Sequence, residues 1–138
     1  MIDISTEIGA NAVRRLNEEQ IIWLTTVRPD GMPQPTPVWF LWDGETILIY
    51  SQPNAKKVRN LTQNPKVALN LNSDAQGGDV LIIFGRAQID PEALLANLNP
   101  AYLEKYCQGI TNIDMTPESM SKEYSTVIRI TPERVRSF

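Results

Sequence analysis

Apolar and polar positions divide this chain into a series of short elements. Over residues 10–20, Ala12, Val13 and Leu16 recur at helical spacing with Glu19 and Gln20 closing the run, which predicts a first helix. Residues 21–27 (IIWLTTV) are β-branched and aromatic, and Pro29-Asp30-Gly31 ends them in a turn, as a strand requires. A second strand covers 36–42 (TPVWFLW), and Asp43-Gly44 turns it tightly into a third over 46–51. A helix over 55–63 follows, stopped by Asn64-Pro65. Residues 67–72 make a fourth strand, and AQGGD at 75–79 turns into a long fifth over 80–89 that Gly85 interrupts. A helical insertion comes next. Asp90-Pro91-Glu92 caps a helix over 92–98, a second helix covers 101–108, and Thr116-Pro117-Glu118 repeats the cap before 118–123. Residues 126–131 (TVIRIT) return as a last alternating strand. Short strands joined by hairpin turns, with one helix among them, predict a mainly β, single-domain small barrel.

Two segments break the ordinary pattern. In the second strand Val38, Phe40 and Trp42 share one face while Pro37, Trp39 and Leu41 share the other, so both faces are apolar. That predicts burial on both sides, by a barrel core within and by a dimer partner or an aromatic ligand outside. Pro35 and Pro37 cannot donate ladder hydrogen bonds, which would interrupt pairing and free backbone groups near Val38 and Trp39 for a ligand. A bulged edge strand packed into the core is the plainer reading of the same residues.

The second anomaly is SQPNAKKVRNLTQNP at 51–65, a helix start with Asn54 at its cap and Lys56, Lys57 and Arg59 in its first turn. The N-terminal turn already carries about +0.5 charge and unpaired N–H groups, so cations there are unfavourable on their own. A phosphate would turn that cost into a binding site. A solvated lysine face is the alternative, just as Thr36 and Ser51 fit plain strand and turn roles. The two anomalies lie one hairpin apart, and that adjacency favours a shared ligand.

Composition narrows the chemistry. With 138 residues, 42% hydrophobic and 21% charged, the chain is an ordinary single globular domain. No apolar run approaches the roughly 20 residues of a membrane span, the first residues lack a signal-peptide core, and the lone Cys107 fits a reducing compartment, so a cytoplasmic protein is expected. A net charge of −3 argues against nucleic acid as a partner. Yet five of the thirteen basic residues, Lys56, Lys57, Arg59, Lys66 and Arg86, fall in one stretch, which suits a small anionic ligand. With no histidine and one cysteine, Ser-His and Cys-His dyads and CxxC redox chemistry are excluded, and a zinc site is not expected. An enzyme of this composition would rely on a bound organic cofactor, with no metal.

The segment WLTTVRPDGMPQPTPVWFLWDGETILIYSQPNAKKVRNLTQNPKVAL at 23–69 resembles the split-barrel flavoproteins of the pyridoxamine 5′-phosphate oxidase-like superfamily. More narrowly it is similar to the flavin/deazaflavin oxidoreductase B branch, which includes coenzyme F-420-dependent enzymes. GGDV at 77–80 and YLEKYCQGI…MTPESMSKEYS at 102–125 match one subgroup of that branch, so the resemblance covers nearly the whole chain. It implies a six-stranded split β-barrel with peripheral helices, a homodimer, and FMN or coenzyme F-420 bound between subunits. Lys57 matches the family lysine on the cofactor phosphate, with Lys56 and Ser51 in the flanking motif. Pro37, Val38 and Trp39 match the strand along the isoalloxazine ring, and Thr36, Tyr50 and Asn60 complete the cofactor-binding set. Residues 77–79 and Arg136 could reach a cofactor from the partner subunit.

The implied activity is hydride transfer between that cofactor and a small organic substrate, with a non-catalytic flavin carrier or sensor as the alternative. The proton would come from solvent, Tyr50 or a partner residue. The chain lacks the histidine and arginine substrate-phosphate residues of the vitamin B6 oxidases, so that reaction is not expected. The polyglutamate tail of coenzyme F-420 would need further cations, for which Arg14, Arg15, Arg59 and Lys66 are the candidates. Single-stranded nucleic-acid binding through exposed aromatics is a third reading, opposed by the acidic charge.

Overall fold

Antiparallel pairing orders seven strands into one curled sheet, the half-barrel of a split β-barrel, in the order Pro33–Val38, Ile22–Val27, Lys66–Asn70, Leu81–Ile89, Thr126–Ser137, Ile47–Ser51, Leu41–Trp42. The computed structural model describes residues 7–138. The elements run α1 (Glu7–Glu18), β1 (Ile22–Val27), β2 (Pro33–Val38), β3 (Leu41–Trp42), β4 (Ile47–Ser51), α2 (Lys56–Gln63), β5 (Lys66–Asn70), β6 (Leu81–Ile89), α3 (Pro100–Asn112), α4 (Pro117–Glu123) and β7 (Thr126–Ser137). The concave face buries Ile22, Leu24, Ile47, Ile49, Leu69, Ile83, Ile128 and Ile130, with Ala12 and Leu16 of α1 closing one side. This is where the alternation in β1 and β7 comes from: every second side chain faces that core. Among the described residues no helix is long and apolar enough to cross a membrane.

The expected second strand is two strands at opposite edges of the sheet, which makes seven where six are expected. The chain leaves β2 after Val38, and Trp39 and Phe40 lie outside any strand before β3 begins. Tyr106 of α3 replaces the missing ladder there, since its hydroxyl accepts the Phe40 N–H at 2.8 Å and donates to Gln20 O at 2.7 Å.

Within the single chain the residues of β2 alternate between exposed and half-buried. Pairing with β1 is unbroken, with Val27 opposite Pro33, Thr25 opposite Pro35 and Trp23 opposite Pro37. The prolines take alternate positions, whose backbone N and O point away from β1, so no ladder bond is lost. The open edge of β2 consequently offers carbonyls and no N–H at those three positions, which prevents another strand from adding.

Three further boundaries move because of contacts made by other parts of the chain. The helix expected over 92–98 shrinks to one 3₁₀ turn at Ala96–Leu98, because the Asn97 N–H goes to Ser121 Oγ at 2.8 Å. Strand β7 runs past Pro132 to Ser137, because a β-bulge between Phe84 and Gly85 sets Pro132 opposite Gly85. Gly85 is required there, since a Cβ would sit 2.4 Å from Thr131 O. Helix α3 continues through Gly109, where a Cβ would come within 3.1 Å of the Trp39 ring. Asn99 caps its start ahead of Pro100, a cap not among those expected, whereas α4 follows its cap signature, with Thr116 forming a capping box with Ser119.

Candidate functional site

Helix α2 begins without a cap. Ala55, not Asn54, occupies the N-cap position, and no side chain accepts a hydrogen bond from the first turn. The helix thus presents uncompensated N–H groups together with Lys56 and Lys57, and no acidic residue occupies its first turn. It packs against β1 and β6, which brings its first turn beside the start of β2.

A cleft of about 210 Å³ lies there, lined by Thr26, Gln34, Pro35, Thr36, Lys56 and Lys57. Lys57 is half-buried, and burial alone holds its ammonium pKa below the ordinary lysine value. Among the described residues neither Lys56 nor Lys57 makes an ion pair, whereas Arg14, Arg15, Arg28, Arg86 and Arg129 all do. A second cleft of about 410 Å³ adjoins the first through Gln34 and Lys56, and adds Arg28, Arg59 and Asn60. Among the described residues no carboxylate lines either one.

The structure therefore brings Thr36, Lys56 and Lys57 together, with Asn60 behind them. Asn60 is buried and donates to Thr26 Oγ1 at 3.0 Å and Gln34 Oε1 at 2.8 Å. Pro37 and Val38 lie next along β2. Ser51 is buried at the end of β4, its hydroxyl donating to Gln52 O.

Trp39 and Tyr50 belong to a different cluster. Trp39 stacks on Tyr106 with ring centroids 4.7 Å apart and planes within 6°. Tyr50 donates its hydroxyl to Leu94 O at 2.7 Å, accepts from Asn99, and has its pKa raised by burial. Its proton is committed to the packing of the helical insertion.

Of the four cations considered for a longer tail, Arg59 alone lines these clefts. Arg14 pairs with Glu18, and Lys66 sits on β5 opposite Arg86. Arg15 is buried in a clamp on Glu19, Asn72 O and Asp79 O, so it holds the turn at 77–79 in place. Arg136 lies on β7 opposite Ile82, over the Phe138 ring.

Thr26, Gln34 and Arg28 complete the site and were not among the expected residues. Thr26 had one legible signal: it is a polar residue on the inward face of β1, in step with Ile22 and Leu24. Gln34 needs the strand register, which sets it directly opposite Thr26.

A half-barrel sheet with an uncapped, cation-led helix at the mouth of its first hairpin defines a split-barrel protein with a cation-lined cleft. The Pyridoxamine 5′-phosphate oxidase family model matches residues 8–138, and the chain belongs to that family. A candidate pyridoxamine 5′-phosphate oxidase of Listeria innocua is 26% identical over 92% of this chain and 94% of its own, with a TM-score of 0.67. An F420 reductase is 25% identical, covering 89% of this chain and 94% of its own, also with a TM-score of 0.67. HutZ, the heme storage protein of Vibrio cholerae, shares the fold at 17% identity, over 96% and 95% of the two chains, with a TM-score of 0.66. No curated protein matches the chain.

Proposed function

We propose that this protein is a flavin- or deazaflavin-dependent oxidoreductase that holds the cofactor phosphate at the start of α2. The observation that carries the reading is Lys57: a half-buried ammonium with no counter-ion among the described residues, beside an uncapped helix start. A buried cation without a partner is expensive, and a phosphate is the group that balances it. The donor set fits such an anion. The ring would lie along β2, where the open edge offers carbonyl acceptors at Pro35 and Pro37.

The cofactor, when bound, supplies reversible hydride transfer. The chain's own residues bind and orient it. With Tyr50 committed elsewhere, the proton would come from solvent or a partner residue. The likeness to an F420 reductase supports this class, whereas the likeness to HutZ extends only to the fold. A chain without histidine also lacks the commonest heme ligand.

The second cleft favours coenzyme F-420 over FMN, because Arg59, which makes no ion pair among the described residues, offers charge beyond the lysines that would hold one phosphate. Replacing Arg59 with alanine is expected to weaken coenzyme F-420 by about two- to fivefold, the worth of an exposed ion pair, and to leave FMN unchanged. Equal loss for both in parallel titrations would assign Arg59 no tail contact.

The reading also includes a homodimer. The convex face of the sheet sets Pro35, Thr25, Ala68, Phe84 and Arg134 in one cross-strand row, with Phe84 left 37% exposed. A second copy would cover that row, and sedimentation equilibrium at micromolar concentration should report twice the chain mass. A monomer would remove the dimer.

The absorbance spectrum of the purified protein, followed by titration with FMN and coenzyme F-420, tests the whole reading. Binding of neither would overturn it. Turnover of enones or quinones with reduced cofactor then separates an enzyme from a carrier.

A further inference from the structure

The buried amide of Asn60 does more than fill space behind the cleft. Asn60 is 5% exposed, and Nδ2 donates to both Thr26 Oγ1 and Gln34 Oε1. These partners face each other across the β1–β2 ladder. Each has an accepting and a donating end: a hydroxyl both accepts and donates, and a glutamine amide pairs one carbonyl with one NH₂. Asn60 occupies the accepting end of each. The Thr26 hydroxyl proton and the Gln34 Nε2 group are left over, and neither meets an acceptor among the described residues. Thr26 is 1% exposed and lines the smaller cleft, while Gln34 lines both. A donor so deeply buried has little water to turn to, which makes leaving it unpaired costly.

Resting on the phosphate reading above, we infer that Asn60 is a positioning residue that turns the Thr26 hydroxyl and the Gln34 amide toward the bound phosphate. Together with Lys56 and Lys57 they give the cleft four side-chain donors aimed at one anion. Phosphate oxygens only accept, so they match this lining. The terminal hydroxyl of a phosphate-free flavin carries no charge and gains less from it. Thr26 and Gln34 thereby set the preference for the phosphorylated form.

The test compares FMN with riboflavin, and coenzyme F-420 with its phosphate-free core, in wild type and variants. Thr26→Val keeps the shape and removes the donor; it should weaken the phosphorylated form about tenfold and leave the phosphate-free form unchanged. Thr26→Ser should restore wild-type affinity. Asn60→Asp places an acceptor where Nδ2 donates, which draws both donors inward and should erase the preference. If Thr26→Val keeps the wild-type preference, the inference fails and the phosphate reading stands. Loss of both forms alike would show a structural role and overturn the inference too. A wild type that binds the two forms equally, or neither, would overturn the phosphate reading and the inference with it.

Discussion

Replacing Lys57 with alanine is expected to weaken cofactor binding by about 1.5–3 kcal/mol, the range for a hydrogen bond to a charged group, or about ten- to a hundredfold. Folding stability should stay level or rise slightly. The reason is that the free protein holds this ammonium half-buried with no counter-ion among the described residues, a cost that alanine removes. A lysine kept for packing or an ion pair would do the opposite. Loss of affinity without loss of stability, read by titration and by denaturant unfolding, is therefore the signature of a ligand-holding cation.

The same residue fixes a pH dependence. Burial lowers the Lys57 pKa in the free protein, so its charge is lost earlier on the alkaline side than that of an exposed lysine. Bound phosphate favours the charged form and raises that pKa, so affinity should fall as pH rises through the lowered value. In the alanine variant this alkaline fall should be absent. An unchanged titration in that variant would remove Lys57 from the site.

How far the sequence could reach is set by which contacts are local. The cap at Thr116, the Asp43-Gly44 turn and the cation-led start of α2 are written in neighbouring residues, and each is found where the pattern places it, except that the expected Asn54 cap is missing, the N-cap position falling on Ala55. So Lys56, Lys57 and Thr36 were legible as a group. What was not legible depends on residues distant in sequence. Trp39 reads as a ring-supporting strand residue, yet the helical insertion returns Tyr106 to stack on it and Gly109 to admit it. Tyr50 sits one residue from Ser51, but strand alternation and Asn99 turn it into the same insertion. Gln34 and Thr26 share a cleft only through strand register, and the bulge that lets β7 pass Pro132 depends on Gly85 in another strand.

Truncating Tyr106 should have the largest effect on the fold itself. Its ring is 1% exposed and packs against Trp39 and Tyr102, so Tyr106→Ala is expected to destabilise the protein by about 3–5 kcal/mol in denaturant unfolding. Tyr106→Phe isolates the hydroxyl. It keeps the rings and strips the buried Phe40 N–H of its acceptor, a loss of about 1–3 kcal/mol. Burial raises the pKa of this hydroxyl, so it stays protonated and keeps donating to Gln20 O into the alkaline range. Lys105 supports the same break: its Nζ donates to Phe40 O at 2.9 Å and lies 3.7 Å from the centre of the Phe40 ring. Because the Phe40 carbonyl keeps Lys105 in the Phe variant, the difference falls on the Phe40 N–H and on Gln20 O, which both lose the hydroxyl. If Tyr106→Phe unfolds with wild-type stability, the break at Trp39 and Phe40 is held by packing alone, and the hydroxyl is not the substitute for the missing ladder.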